Sequence, residues 1–224
     1  MRKGIFSLLK TGCQWRRLPR EFGKWNTVYS SFKCWRERGV WAKGMKALRQ
    51  GERRRQGRQA EPSAGSVDRQ SIKTATQTTA VGFDGGTQVT GRKRPLLVDT
   101  LGLLIAVVVT AANTDDRVGF LMLLTQDFVG GVRRLRKLWG EGGSQAEWLA
   151  QWVRDLQPTH NIDLAVTGHE GKGFQGVPWR WAVERTFAWL LHDRRHRRDY
   201  ERLTTNSEAL IPLSLIRLLL KRLA

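Results

Sequence analysis

Acidic residues, cysteines and long apolar runs are scarce in this sequence. Its two cysteines, Cys13 and Cys34, lie in no spacing that is typical of a metal or redox site. The most apolar run, residues 103–109, is far shorter than a membrane span, and the apolar stretch near the N terminus is too short for a signal peptide. These absences argue against secreted and membrane proteins, so we expect a cytoplasmic protein with reduced thiols.

Lysine and arginine outnumber the acids by 39 to 20, which gives a formal charge of +19 and a pI near 11.2. Such an excess indicates a polyanionic partner. The excess is concentrated in residues 1–60, which hold 17 basic and three acidic residues. Aromatic residues are interleaved with this charge. The region is therefore either a nucleic-acid module or a small helical domain with a tryptophan-rich core, and both can hold together.

The apolar spacing divides the chain into three parts. Residues 1–50 show three short helical patterns, which predict a basic, helix-turn-helix-like DNA-binding domain. Residues 51–65 contain no apolar side chain larger than alanine and predict a flexible linker. Three arginines of this linker are candidates for contact with a phosphate backbone: Arg53, Arg54 and Arg55. Residues 66–224 form the remaining, larger domain.

The larger domain alternates strand and helix patterns. Residues 95–98 and 103–110 are apolar runs joined by the turn sequence DTLG, and they predict a hairpin whose second strand is central and buried on both faces. Further predicted strands cover residues 66–72, 132–139 and 162–166, and predicted helices cover residues 118–128, 144–156, 178–191 and 209–223. This order favours an α/β fold, a mixed sheet flanked by helices.

Three acids stand on separate predicted elements: Asp68, Glu141 and Glu184. Cleavage of phosphodiesters commonly uses two divalent ions about 3.5–4 Å apart, held by carboxylates that converge from different elements. Asp99 and Asp116 are alternatives, but the first is more simply a turn residue and the second a helix cap. On spacing alone, the assignment of the three acids as metal ligands is a hypothesis.

Basic residues follow the third acid closely. Glu184 lies within an apolar helical pattern, where a carboxylate requires a partner or a metal. Arg180, one turn earlier, could bind a phosphate or form a salt bridge with Glu184. The remaining candidates for phosphate contact form two clusters: Arg92, Lys93 and Arg94, and Arg194, Arg195, Arg197 and Arg198.

Four blocks, in the order VDRQSIKT, GRKRPLLVDTLGLLIAVVVTAANTDDRVG, LWGEGG and WAVERTFAWLLHDRRHRRDYE, resemble the DDE transposases of bacterial insertion sequences. The segment TGCQWRRLPREFGKWNTVYSSFKCWRERGVW resembles the region that precedes catalysis in that family. The resemblance implies a ribonuclease-H-like fold, with Asp68 as the first catalytic carboxylate and Glu184 as the third. It also implies Mg²⁺, for which Mn²⁺ can substitute, and double-stranded DNA as the partner, with a homodimer on DNA and a nucleoid location.

Two features depart from the family pattern. Glu141 occupies the position of the middle aspartate, and its extra methylene adds about 1.5 Å of reach, whereas Mg²⁺ tolerates little geometric error. The N terminus begins inside the first helical segment, which predicts an N-terminally truncated copy. The sequence thus predicts a DNA transposase that cleaves element ends and transfers strands into target DNA. A catalytically impaired DNA-binding remnant and a general nuclease of the same fold are the alternatives.

Overall fold

The computed structural model describes residues 2–75, 78–130, 134–141, 163–167 and 180–223, with the backbone alone for residues 126–130, 141, 163–167 and 180. Three helices open the chain: α1 (Arg2–Thr11), α2 (Trp25–Glu37) and α3 (Val40–Arg55). Short 3₁₀ turns at Trp15–Arg17 and Arg20–Phe22 connect the first two. Gly39, with a φ of 64°, begins α3 in the left-handed region that glycine adopts without strain.

Seven strands form one sheet. They are β1 (Ala64–Lys73), β2 (Gly82–Asp84), β3 (Val89–Asp99), β4 (Leu104–Val107), β5 (Thr110–Ala111), β6 (Lys137–Glu141) and β7 (Asp163–Thr167). The main order is β2-β3-β1-β6-β7, and β4 and β5 also pair with β3. β3 runs antiparallel to β1, whereas β6 is parallel to β1 and to β7.

Helices flank the sheet on both faces. α4 (Asp116–Gly130) covers one face, and α5 (Arg180–Leu191) and α6 (Thr204–Leu223) cover the other. Alternate residues of β3 divide between two hydrophobic clusters: Leu97 packs under α4, and Leu96 and Val98 pack under α5 and α6. This architecture confirms the expected fold class, a ribonuclease-H-like mixed sheet flanked by helices.

The predicted hairpin is present, but its second strand was assigned the wrong place. β3 and β4 are antiparallel partners, joined by the turn after Asp99. β4, however, lies at an edge of the sheet, and its last three residues are partly exposed. The first strand of the hairpin, β3, is instead the interior one: it pairs with β1 on one side and with β2, β5 and β4 on the other, and it is buried from Gly91 to Asp99. The apolar character of residues 103–110 reflects packing of the edge strand against helices rather than burial between two strands.

The N-terminal helices share a core with the C-terminal helix. Ile5, Leu8 and Phe32 pack in one cluster with Ala209 and Leu210 of α6. Aromatic rings extend this cluster: Trp15 contacts Tyr29 and Phe32, with ring centroids 5.0 and 5.2 Å apart, and Trp35 lies 5.1 Å from Trp41. A tryptophan-rich core therefore exists, and it includes the far end of the chain.

The predicted linker is shorter and more ordered than expected. α3 continues to Arg55, and β1 begins at Ala64, so the connection between them is about half as long as predicted. Arg53, predicted to lie in a flexible segment, is buried.

α6 begins earlier than predicted, at Thr204, and Pro212 lies within the helix.

The helix predicted at 144–156 lies outside the described residues. The strand predicted at 132–139 corresponds to β6, so Glu141 is its last residue rather than a residue beyond it. Both cysteines are free thiols. No helix in the described ranges combines the length and the apolarity that crossing a membrane requires.

Candidate functional site

Asp68 lies on the face of the sheet that α5 covers. Its neighbour Val67 packs in the cluster under α4, and successive residues of a strand point to opposite faces. Across the ladder Asp68 is paired with Leu96, which belongs to the cluster under α5 and α6. Asp68 is half-buried, and one of its carboxylate oxygens accepts the N–H of Arg69 at 2.7 Å.

Glu184 stands on the helix that packs against this same face. α5 contacts β1, β3 and β6, and its apolar side chains, including Ala182, Val183 and Phe187, are buried in the cluster that contains Leu96. Glu184 follows Val183 directly and is exposed. The first and third predicted carboxylates therefore belong to elements on one face, not on opposite faces.

Glu141 is next to Asp68 in the strand register. β1 and β6 are parallel and pair Val67 with Gly140, so the next positions along the two strands are Asp68 and Glu141. Adjacent strands lie about 4.8 Å apart. The side chain of Glu141 is outside the described part of the structure. Among the described side chains no group of three histidines, cysteines or acids is placed to hold a metal.

The two competing acids have other roles. Asp99 is buried, and one of its oxygens accepts the N–H groups of Leu101 and Leu103, both at 2.9 Å. It is therefore a turn residue, as predicted. Asp116 is the first residue of α4, and its carboxylate binds Lys93 at 2.8 Å and Arg69 at 2.6 Å.

The cluster of Arg92, Lys93 and Arg94 is buried in the fold. The side chain of Arg92 is fully buried and donates to Asp199 and to the carbonyl oxygens of Thr79, Glu201 and Arg202. These acceptors occupy the guanidinium that was expected to bind a phosphate. Arg92 therefore ties β3 to the loop that precedes α6.

Lys93 and Arg94 are engaged in the same way. Lys93 binds Asp116, as above, and the carbonyl oxygen of Thr114 at 2.9 Å. Arg94 donates to Gln70 at 2.8 Å and to the carbonyl oxygen of His196 at 3.1 Å. Burial lowers the pKa of Arg94 to about 10, an effect that the charge of Asp199 opposes. The charges of Arg92, Lys93 and Arg94 are therefore used within the fold rather than presented to DNA.

The basic run after α5 has an exposed and a buried side. Arg194, Arg197 and Arg198 are exposed, whereas Arg195 and His196 are buried. His196 is hydrogen-bonded to Ser214 at 2.8 Å. Burial, together with the charges of Arg94 and Arg195, lowers the pKa of His196 to about 3, so the ring is neutral at physiological pH.

Arg195 connects the basic run to the N-terminal segment. Its guanidinium binds Glu201 through two nitrogens and donates to the carbonyl oxygen of Cys13 at 2.5 Å. The indole N–H of Trp15 reaches the other oxygen of Glu201 at 3.4 Å. Gly12 also packs against the backbone of Arg194. The predicted DNA-contacting arginine is thus the link between the first helices and the core.

The arginines at the end of α3 also differ from one another. Arg53 is buried and binds Asp99 at 2.5 Å and the carbonyl oxygen of Gln59 at 2.8 Å. Arg54 is exposed. Arg55 is exposed but binds Glu52 at 2.7 Å, and this hydrogen bond is the main reason that the pKa of Glu52 is lowered. Of the three, Arg54 lies most openly at the surface.

A cleft of about 320 Å³ joins the strand of Asp68 to the basic run. Its lining includes Gln70 and Lys73 of β1, Leu191 at the end of α5, and Arg197 and Arg198. The end of β1 is hydrogen-bonded to the segment that follows the basic run, since the N–H of Asp199 donates to the carbonyl oxygen of Lys73 at 2.9 Å. Lys73 has no signal in the sequence, because a single lysine at the end of a strand carries no distinguishing pattern.

α5 begins at Arg180, and the side chain of this residue lies outside the described part of the structure. Its predicted contact with a phosphate or with Glu184 therefore stays a prediction.

Comparison with known proteins gives consistent results along the chain. A family described as a transposase of the IS4/5 family matches residues 1–45, and one described as "Transposase DDE domain" matches residues 59–219. A Burkholderia cepacia protein described as a transposase for insertion sequence element IS402 is 32% identical over 120 residues, 50% of this chain and 54% of that protein. The chain thus spans about half the length of this curated relative.

Two solved structures are similar at low identity. The Mos1 mariner paired end complex with Mn is 13% identical, with a TM-score of 0.36, and covers 99% of this chain and 76% of its own. A pre-cleavage Mos1 transpososome is 12% identical, with a TM-score of 0.35 and the same coverage.

Proposed function

Because the chain belongs to the family of transposases with a DDE domain, we propose that it cleaves one DNA strand at the ends of an insertion sequence. Water attacks the phosphodiester, the bond to the 3′-oxygen breaks, and a free 3′-hydroxyl is left. That hydroxyl then attacks a phosphodiester of target DNA, whose own 3′-oxygen departs. The observation that carries this proposal is the placement of Asp68 and of the helix bearing Glu184 on one face of the sheet, beside the register position of Glu141.

The donor set fits a divalent cation. Carboxylate oxygens are the ligands that Mg²⁺ and Mn²⁺ take in proteins, and Mg²⁺ commonly binds one or two of them together with water and phosphate. Asp68, Glu141 and Glu184 would hold the ions. When bound, such ions supply charge stabilisation to the attacking and leaving oxygens.

The residues that would orient the DNA line a cleft at the end of β1, the strand that bears Asp68. Arg197 and Arg198 are exposed and share a cleft with Lys73, a few residues beyond Asp68 on β1. Three cations along one cleft can bind consecutive phosphates and so fix the scissile bond relative to the carboxylates. Double-stranded DNA is therefore the proposed substrate, at the element ends and at the target.

The test uses the purified chain, a labelled duplex that carries the element ends, and Mg²⁺ or Mn²⁺. We expect nicking that Glu184→Gln abolishes while DNA binding remains, because the substitution removes a charged ligand without altering the cationic cleft. Glu37→Gln, which changes an exposed acid on α2, is the matched control and should nick like the wild type.

Glu141→Asp separates an impaired site from a wrong assignment. If Glu141 lies too far into the site, the shorter aspartate should raise the nicking rate, since misplacement of catalytic groups by about 1 Å can cost of order 10²-fold. If the chain shows no metal-dependent nicking with either residue, at any enzyme concentration, the catalytic proposal fails and a DNA-binding remnant is left.

A further inference from the structure

A groove of about 760 Å³ lies between α3, β4 and the first turns of α6. Its volume is in the range of protein binding sites, roughly 300–1,000 Å³. Much of its wall is apolar, with Met45 on one side, Ile105 and Val107 along the strand, and Pro212 on the other side. It is separate from the cleft that contains Arg197 and Arg198.

The floor of this groove is the outer edge of the sheet. Among the strands that the structure describes, β4 pairs with β3 alone. The N–H of Val108 donates to Pro95 of β3 at 3.2 Å, and alternate residues of an antiparallel strand direct their backbone groups to opposite sides. The backbone N–H and C=O of Val107 therefore point away from β3, toward the open edge.

Side chains occupy the two ends of this edge and leave its middle open. At one end Arg49 donates to the carbonyl oxygen of Leu104 at 2.8 Å. At the other end the N–H of Val109 donates to Glu208 at 2.9 Å. Both contacts are hydrogen bonds that a neighbouring strand would otherwise make. An edge strand with free backbone groups is a template for a further strand.

The rim of the groove carries more basic than acidic side chains, and its exposed acid, Glu37, is paired with Arg36 at 3.1 Å and with Lys33 at 3.9 Å. Lys43 is exposed and forms no ion pair with a described residue, and Lys46 lies 4.0 Å from Glu61. The indole N–H of Trp41, also in the wall, is buried without a hydrogen-bond partner in the described part of the structure. A second copy of this chain, with its formal charge of +19, would bring like charge to this rim. The charge therefore favours an acidic occupant.

We propose that the groove binds an extended, acidic segment of a partner protein, which adds a strand to the edge of β4. Backbone hydrogen bonds to Val107 would provide the register. Because side chains alternate along a strand, apolar ones would enter the groove while acidic ones meet Lys43 and Lys46. This binding needs neither DNA nor a metal ion.

The experiment uses the full chain and a fluorescent, acetylated peptide of about seven residues in which valine and glutamate alternate, matched in length to β4 at about 3.3 Å per residue. Binding is measured by fluorescence anisotropy. We expect saturable binding and slower hydrogen exchange at the amide of Val107. The double variant Lys43→Glu/Lys46→Glu should raise the Kd by about tenfold, as the loss of two exposed ion pairs implies.

Two controls make the result specific. A peptide of the same sequence with N-methylated amides keeps its charge and apolar side chains but cannot pair with a strand, and it should not bind. Lys24→Glu, a charge reversal at an exposed position outside the groove, should leave the Kd unchanged.

The proposal is overturned if the methylated peptide binds equally well, or if Lys24→Glu weakens binding as much as the double variant does. It is also overturned if the two lysines are needed for binding of duplex DNA or for self-association of the chain, but not for binding of the peptide.

Discussion

The ion pair between Arg195 and Glu201 is a buried contact whose loss we expect to be costly. Both side chains are about 5% exposed, and Glu201 accepts two hydrogen bonds from Arg195 and one from Trp15. Glu201→Gln preserves the shape of the side chain but leaves the guanidinium of Arg195 buried without a counter-charge. Removal of one partner from a buried ion pair costs about 3–5 kcal/mol. Since glutamine still offers one acceptor oxygen, we expect about 3 kcal/mol.

The assay is equilibrium unfolding in urea, followed by tryptophan fluorescence. Arg195→Met and the double variant complete a mutant cycle. With both charges removed, no buried charge is left unpaired, so the double variant should lose at least about 2 kcal/mol less than the sum of the single variants. Glu37→Gln is the matched control, because its side chain is 54% exposed and its ion pairs should contribute less than about 1 kcal/mol.

Two results would refute this account of Arg195. The first is a loss below about 1 kcal/mol for Glu201→Gln, which would mean that solvent reaches the guanidinium. The second is strict additivity in the cycle, which would mean that Arg195 and Glu201 do not interact. Either result would also weaken the inference that this pair fastens residues 10–15 to the basic run.

Two further predictions concern pH and packing. Because burial lowers the pKa of His196 from 6.5 to about 3, folding favours its neutral form; the stability that depends on it is complete above pH 6.5 and falls, by up to ~1.4 kcal/mol per pH unit, as the pH decreases toward 3. His196→Gln, which can still bond Ser214, should reduce the slope of unfolding free energy between pH 7 and 5, and an unchanged slope would contradict the burial. Gly91→Ala would place a methyl group against the carbonyl oxygen of Ile72 and should cost at least about 2 kcal/mol, whereas Gly85→Ala meets no atom within 4 Å and should be nearly neutral in the same urea titration.

The periodicity of the sequence predicted most of the elements, because each is decided locally. The strand that became β1, the hairpin of β3 and β4, and the helix that became α4 were all identified from apolar spacing and turn residues. The position of a strand within the sheet, at the centre or at an edge, is not decided locally. An apolar strand of four residues is equally compatible with the centre of a sheet and with an edge that helices cover. β4 was assigned to the centre for that reason, and it lies at the edge.

The linker is predicted too long for a related reason. A change in composition at residue 50 suggested a linker, but composition does not show which distant residue a buried arginine will meet. Arg53 binds Asp99, and the helices of the first fifty residues share their core with Leu210 and Leu213. Contacts between residues that are far apart in the sequence are decided by the tertiary fold, so no local pattern predicts them.

The candidate acids show both what a local sequence pattern can suggest and what only the tertiary fold decides. Spacing alone makes these acids candidates, and the family resemblance implies the roles of Asp68 and Glu184, which stay predictions. No sequence pattern predicts that the acids share a face, because that depends on the pairing of β1 with β3 and β6. The strand register shows that pairing. Asp68 lies opposite Leu96 of β3, and the position after the Val67–Gly140 pair of β1 and β6 brings Asp68 next to Glu141.

The formal charge of the chain overstates the cationic surface that DNA can meet. Among the described residues, five arginines are buried: Arg49, Arg53, Arg92, Arg94 and Arg195. Each of them donates to carbonyl or carboxylate oxygens within the fold, and a buried guanidinium engaged in this way is not available to phosphate. Neighbouring residues of the basic run differ in this respect, since Arg195 binds the N-terminal segment while Arg197 and Arg198 line the cleft. A basic sequence can therefore serve two purposes at once, in which the buried arginines organise the fold and their exposed neighbours present positive charge at the surface.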